Sequence, residues 1–331
     1  MNYLIEKNKI KILCTEFNPK DIFECGQVFS YKKIEQFYFV YPGENLAAIY
    51  FENENYYVEC LKGTPEFFVN YFDLGNNYSN IIKKIKKLNK NEFNLQLIDE
   101  AIEFGKGIRI LKQEFVETLI SFIFSANNNI KRFTNSLNLL RKNYGEKINV
   151  KNKSKNNRIN LILEKNEFYS FPNLETLKNL TEEYFVSIGA GYRANYLVDT
   201  ISRISNNSFE DFNKLPTEAL LLEIEKFKGV GRKVGECVLL FAFSRLDVFP
   251  VDTWINKVYF DLFGENEKTN RKQISKFLVE KFGLLSGYVQ QYLFYYKREL
   301  WKNFWLFWTK IILGVDKVEN LWYHNYGSNP Q

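Results

Sequence analysis

Two patterns of apolar positions divide the chain. Up to about residue 105 the apolar positions come in short aromatic and β-branched runs: Phe37-Tyr38-Phe39-Val40-Tyr41, Leu46 to Phe51, and Tyr56-Tyr57-Val58. Pro42-Gly43 and Glu52-Asn53-Glu54-Asn55 separate them, and runs of this length between turn residues predict an antiparallel meander. Short helices are expected next, over Pro65 to Phe72 and Ser79 to Leu88, because Ile81, Ile82, Ile85 and Leu88 recur at helical spacing. From about Lys106 onward the pattern is helical. Phe115, Leu119, Ile120, Ile123 and Phe124 share one face, and Phe133, Leu137, Leu139 and Leu140 another. Only Tyr144 to Lys165 lacks clear periodicity and reads as a surface insertion; no internal repeat is present. The pattern predicts an α+β chain, with an N-terminal antiparallel β-sheet domain carrying short helices over 1–105 and a mainly helical domain over 106–331.

One segment of the helical part, at about 217–244, carries candidate chemistry. Leu220, Leu221, Ile224 and Phe227 read as the inner face of a helix that stops at Gly229, and Val234, Val238, Leu239 and Phe241 as the face of a second helix starting near Arg232. The intervening Lys228-Gly229-Val230-Gly231 makes this a helix-hairpin-helix. Gly229 and Gly231 are both expected to let the backbone turn with positive φ and to leave amides uncovered at a helix N-terminus, which suits a phosphate. Such a turn also serves as a plain connection or as a DNA grip without chemistry. Lys233, in the first turn of the second helix beside Arg232, stands where the helix dipole and a like charge disfavour an ammonium ion. It reads either as a nucleophilic amine or as a solvated lysine on a basic helix. Asp252, after Pro250-Val251, reads as the N-cap of a further helix, a role compatible with stabilising positive charge on a reacting sugar.

Composition narrows the classes. A 331-residue chain with 45% hydrophobic residues fills a sizeable core. Its net charge of +6 is modest but clustered, at Lys83 to Lys90 and from Lys131 to Arg158, which suits phosphates. For Lys151 to Asn157 a solvated Lys/Asn-rich loop is the better reading. Cys14, Cys25, Cys60 and Cys237 have no metal-ligand spacing, so neither zinc nor an iron–sulfur cluster is expected and the thiols read as reduced. The single histidine, His324, leaves none for a catalytic triad or a metal pair. No signal core and no membrane-spanning run is evident, and the apolar stretch Phe304 to Val315 reads as a buried helix. The expected location is cytoplasmic, or nuclear in a eukaryotic cell, and not secreted.

The hairpin, its lysine and Pro-Val-Asp resemble the helix-hairpin-helix DNA glycosylases. Gly26-Gln27-Val28-Phe29, Asn127 to Arg132, Gly191-Tyr192-Arg193-Ala194 and Gly287 to Phe294 narrow the resemblance to the eukaryotic-type 8-oxoguanine DNA glycosylases, in matching order over nearly the whole chain. The resemblance implies a monomeric, bifunctional glycosylase/AP lyase without metal or cofactor, acting on double-stranded DNA that holds 8-oxoguanine opposite cytosine. It implies that Lys233 attacks C1′ and Asp252 stabilises the cationic sugar. The Gly26 carbonyl would accept a hydrogen bond from N7–H, Gln290 would read the Watson–Crick edge, and Phe294 and Cys237 would sandwich the ring. Asn127 would fill the vacated space, Tyr192 would wedge beside it, and Arg132 and Arg193 would pair with the orphaned cytosine. Taken singly, each residue has a plainer reading: Asn127 ends a helix, Tyr192 and Phe294 pack in a core, Gly26 makes a turn, and the arginines bind phosphate. The chain departs from the family at Trp254, where its members usually carry a histidine that touches a phosphate. The aromatic tail from Arg298 to Gln331 has no assignable motif.

Overall fold

The computed structural model describes residues 2–92, 95–150, 154–205, 208–263 and 269–313, with side chains to Lys302 except that of Glu92. Six strands, β1 (Tyr3–Glu6), β2 (Lys9–Ile12), β3 (Tyr31–Ile34), β4 (Phe37–Val40), β5 (Leu46–Glu52) and β6 (Asn55–Lys62), form one antiparallel sheet in the order β1-β2-β6-β5-β4-β3. The helices among and after them are α1 (Pro19–Glu24), α2 (Pro65–Tyr71), α3 (Tyr78–Glu92), α4 (Gln96–Phe104), α5 (Phe115–Ser125), α6 (Ile130–Tyr144), α7 (Asn157–Lys165) and α8 (Leu174–Lys178). They continue as α9 (Glu182–Ser187), α10 (Arg193–Arg203), α11 (Ser208–Asn213), α12 (Thr217–Ile224), α13 (Arg232–Ala242), α14 (Thr253–Phe263), α15 (Arg271–Phe282) and α16 (Ser286–Leu313). The α+β class expected from the pattern is the one observed. No described helix is long and apolar enough to cross a membrane.

Every residue of β4 is buried, which alternation would forbid for a sheet with one wet face. Both faces are covered. Tyr38, Val40, Ala47 and Ile49 pack against Phe23 of α1 and Phe68 of α2, while Phe37, Phe39, Leu46 and Ala48 pack against Ile159 and Ile162 of α7 and against Phe168. The segment read as a surface insertion therefore contains a helix that closes the outer face of the sheet.

The larger core lies among the helices, centred on α13, where all residues from Val234 to Ala242 are buried. Two predicted boundaries shift. α12 ends at Ile224 rather than running to Gly229, and Phe227, buried in the turn, supplied the extra helical beat in the sequence. Leu139, placed on the apolar face of α6, is exposed. A buried ion pair, Arg141 Nη2 to Glu117 Oε1 at 2.6 Å, joins α6 to α5. The side chains of Phe304 to Val315, and His324, lie outside the described residues.

Candidate active site

Lys233 is fixed by the local backbone. Gly229 has φ +80°, and a Cβ there would stand 2.3 Å from Cδ2 of Tyr196, so both conformation and space demand glycine. Gly231 differs: its φ is −92°, a Cβ would meet nothing within 4 Å, and it caps α13 without a side chain. The first-turn amides of α13 are thus left without a side-chain cap, the arrangement that receives an anion. Lys228 Nζ donates to Asn195 Oδ1, tying the hairpin to α10.

The Lys233 ammonium stands 5.2 Å from the centroid of Phe122. One turn along α13, burial pushes the Cys237 thiol up to about 11, opposed by the charge of Lys233 and a hydrogen bond from it. Asp252 is the N-cap the sequence predicted, Oδ1 accepting from Trp254 N at 3.0 Å and Ile255 N at 2.9 Å. Burial raises its carboxyl above the usual range, against the pull of the Ile255 amide, the Lys233 charge and the Trp254 amide. Amine, thiol and carboxylate are therefore one electrostatic group. Arg232 contributes less to it than its position in sequence suggests. Its Nε is bonded to Glu236 at 2.9 Å and its Nη1 to Glu218 at 3.2 Å, so its guanidinium is engaged by two carboxyl groups of its own.

The proposed base-reading residues come from three places, the turn after α1, α13 with Cys237, and α16. Gly26, with φ +84°, has Phe294 directly against it: a Cβ would lie 3.2 Å from Phe294 Cε1. Phe294 lies one helical turn after Gln290 on α16. Gln290 is buried, its Nε2 donating to Pro250 O at 3.3 Å and its Oε1 accepting from Gln291 Nε2 at 2.9 Å, which links it to the loop that carries Asp252. A cleft of about 400 Å³ opens beside Gly26, with Phe29, Ile130, Thr134 and Arg298 among its walls. Lys233, Cys237, Gln290 and Phe294 do not line it.

The third group forms a rim. Asn127 has φ +47° and is exposed, Tyr192 is 57% exposed, and the Arg193 guanidinium lies 4.4 Å from the Tyr192 centroid. Arg193 itself is buried. Its Nε donates to Ala126 O at 2.6 Å, Nη2 to Asn127 O at 2.5 Å and Nη1 to Ala190 O at 3.3 Å. Two of its five N–H groups thus hold the Asn127 loop and a third the turn at Ala190, and a cytosine edge would draw on the other two. Arg132 is exposed, and its charge lies close enough to help burial lower the pKa of Arg193. At Trp254 the indole packs 5.9 Å from Trp301, with Lys257 Nζ over both rings.

Phe122, Tyr196 and Arg298 were not singled out as site residues. For Tyr196 a signal existed, since a glycine with positive φ implies something packed close to it. Phe122 and Arg298 gave none, because their significance lies in partners far away in sequence.

Fold and site together define a helix-hairpin-helix scaffold of base-excision type, and residues 120–283 match the model of the HhH-GPD superfamily of base excision DNA repair proteins. Residues 9–119 match the N-terminal domain of 8-oxoguanine DNA glycosylase. The 8-oxoguanine glycosylase/lyase of Clostridium acetobutylicum, solved with double-stranded DNA containing cytosine opposite 8-oxoguanine, superposes with TM-score 0.78 at 34% identity, covering 90% of this chain and 99% of that one. The chain belongs to the 8-oxoguanine DNA glycosylase family. The N-glycosylase/DNA lyase of Saccharomyces cerevisiae is 34% identical over 166 residues, 46% of this chain and 41% of that protein. That of Arabidopsis thaliana is 28% identical over 201 residues, 57% and 52% respectively. The matches span about half the length of these two curated relatives. The 3-methyladenine DNA glycosylase of Archaeoglobus fulgidus, at 17% identity and TM-score 0.66, shares the fold alone.

Proposed function

We propose that this protein is a bifunctional DNA glycosylase/AP lyase that flips 8-oxoguanine out of duplex DNA, excises it and nicks the strand. The observation that carries the proposal is Lys233, held at an uncapped helix N-terminus within the field of buried Asp252 and one helical turn from Cys237. A phosphate bound at the first-turn amides of α13 would bring a sugar close to the amine.

Extruding the nucleotide costs a few kcal/mol of lost stacking, recovered in pocket and rim contacts. The free amine of Lys233 then attacks C1′, the bond from C1′ to N9 breaks, and the base leaves with the electron pair and takes up a proton. Asp252 stabilises the positive charge developing on the sugar. The ring opens to a Schiff base on Lys233. Loss of a proton from C2′ expels the 3′ phosphate, and hydrolysis of the imine returns the lysine.

Choice of base rests on Gly26. Oxidised guanine carries N7–H where guanine has a lone pair, so a fixed carbonyl gains a hydrogen bond from one and faces a second acceptor in the other, a difference of about 1–3 kcal/mol. Gln290 at the Watson–Crick edge, Phe294 and Cys237 on the ring faces, and Asn127, Tyr192, Arg132 and Arg193 at the vacated site complete the assignment, with cytosine as the opposite base.

Borohydride trapping on a duplex with 8-oxoguanine opposite cytosine tests the reading. A covalent adduct is expected with the wild type and none with Lys233→Gln. Excision without an adduct would mean that water rather than lysine attacks, and DNA binding with neither would mean a grip without chemistry.

A further inference from the structure

Arg298 belongs to none of the roles above, yet it touches both walls of the proposed base pocket. It is only 6% exposed. Its Nη2 donates to the carbonyl of Glu24, two residues before Gly26. Its Nη1 lies 2.9 Å from the point where a Cβ on Gly26 would stand, and its guanidinium carbon is 5.4 Å from the centroid of Phe294. Glu299 Oε1 accepts from Nη2 at 3.0 Å and from Nε at 3.2 Å, holding the fork in plane.

The Gly26 turn is held from its other side by Gln27, whose Nε2 donates to Ile22 O at 2.9 Å and to Arg109 O at 2.8 Å. Arg298 supplies the clasp on the Glu24 side and reaches from that turn to the ring of Phe294, which itself abuts Gly26. A carbonyl that separates two bases by a single hydrogen bond must be held to a fraction of an ångström, since a displaced acceptor meets N7–H and a bare N7 alike. From this geometry we infer that Arg298 is a positioning residue for lesion choice, splinting the Gly26 turn to the Phe294 ring. The inference rests on the reading of Gly26 as the discriminating acceptor.

Its test separates base removal from sugar chemistry. Single-turnover excision of 8-oxoguanine opposite cytosine, and nicking of a duplex with a preformed abasic site, are measured for the wild type, Arg298→Leu and Arg298→Lys. Excision is expected to fall about tenfold or more in the leucine variant and to recover in part with lysine, which keeps one donor and the charge over the ring. Abasic-site nicking should stay within about twofold, because Lys233 and Asp252 are untouched. Parallel loss of both activities, or unchanged excision, overturns the inference. Hydrogen exchange in the DNA-free protein gives a readout independent of substrate: the amides of Cys25, Gly26 and Gln27 should exchange faster in the lysine variant, while those of Val238 and Leu239 should not. No change there overturns the splint even if the leucine variant fails to fold. A wild type that nicks abasic DNA but ignores 8-oxoguanine would instead sink the proposed function, leaving the exchange result to judge the splint alone.

Discussion

Asp252 combines two demands that pull against each other. As a cap it accepts two amides, and as a buried carboxylate near Lys233 it carries a charge that burial disfavours. Asparagine caps helices as well as aspartate does, so Asp252→Asn should leave thermal stability unchanged or slightly raised. The same change should lower single-turnover excision by about 10²–10³-fold, as expected for removal of a charge that stabilises the transition state. A variant that lost both in proportion would show the carboxylate to be structural. Because its folded pKa is raised, wild-type turnover should decline with acidification at a higher pH than an ordinary aspartate would dictate. At this scale the sequence spoke most clearly where a residue's chemistry and local context agree, as for Lys233 and the cap at Asp252. It was silent on Arg298, for a surface-type residue in an aromatic tail gives no sign of whether it is turned inward. For Arg193 it gave the neighbourhood and missed three hydrogen bonds to backbone carbonyls.

At the level of elements, α13 presents Lys233 on one side and is anchored on the other. Glu236 is 1% exposed, accepts from Ser275 Oγ on α15 at 2.5 Å and from Arg232 Nε at 2.9 Å, and leaves Oε2 without a partner. Burial raises its pKa from 4.5 to about 7, outweighing Ser275 and Arg232. Between those values the folded protein keeps a proton that the unfolded chain has lost. The stabilisation is therefore complete below about pH 4.5 and disappears as pH rises through 7, a change of about 3 kcal/mol. In urea unfolding at pH 5 and pH 8, the wild type should lose stability relative to Glu236→Gln across that interval. A constant difference between the two proteins would refute the assignment. The elements missed in the sequence have different causes: β2 was overlooked although its Lys-Ile-Lys-Ile alternates in burial. β1 and β3 are mostly exposed or half-buried edge strands, so they carry no alternation to read. The segment holding α7 hid its helix behind a Lys/Asn-rich lead, and only the apolar outer face of the sheet shows what Ile159 and Ile162 are for.

Across the whole molecule, the sheet and the helices are stitched together beside the Gly26 turn. Arg109 is fully buried and donates to the carbonyls of Phe72, Glu16 and Asn76 at 3.1, 3.2 and 3.1 Å. Leu111 N donates to Gln27 Oε1 at 2.9 Å, Gln113 Nε2 to Gln27 O at 2.8 Å, and Gln113 N to Phe241 O at 2.9 Å, so a short ladder runs from Gly26 to the far end of α13. Gln27→Met keeps the volume but leaves the Leu111 amide and the Arg109 carbonyl without this partner, and it should cost about 2–4 kcal/mol in denaturant unfolding. A loss below about 0.5 kcal/mol, typical of surface changes, would show that the ladder is not needed. The overall class was legible because short aromatic and β-branched runs split by turn residues give way to a beat of 3.6. The joint was not, since a glutamine in a sequence announces nothing about four partners more than eighty residues away or just behind it.

Gly26 stands on the strand-bearing half and Lys233 on the helical half, and that ladder, Arg298 and the packing of Phe29 on Phe122 and Phe133 are among the contacts that hold them in register. Under the proposed reading, the carbonyl that separates two bases lies in the first part of the chain, whereas the groups that cut the sugar lie in the second, which also supplies the rest of the base pocket. Changes confined to the first hundred residues could then retune which damaged base is accepted while the severing chemistry stays as it was.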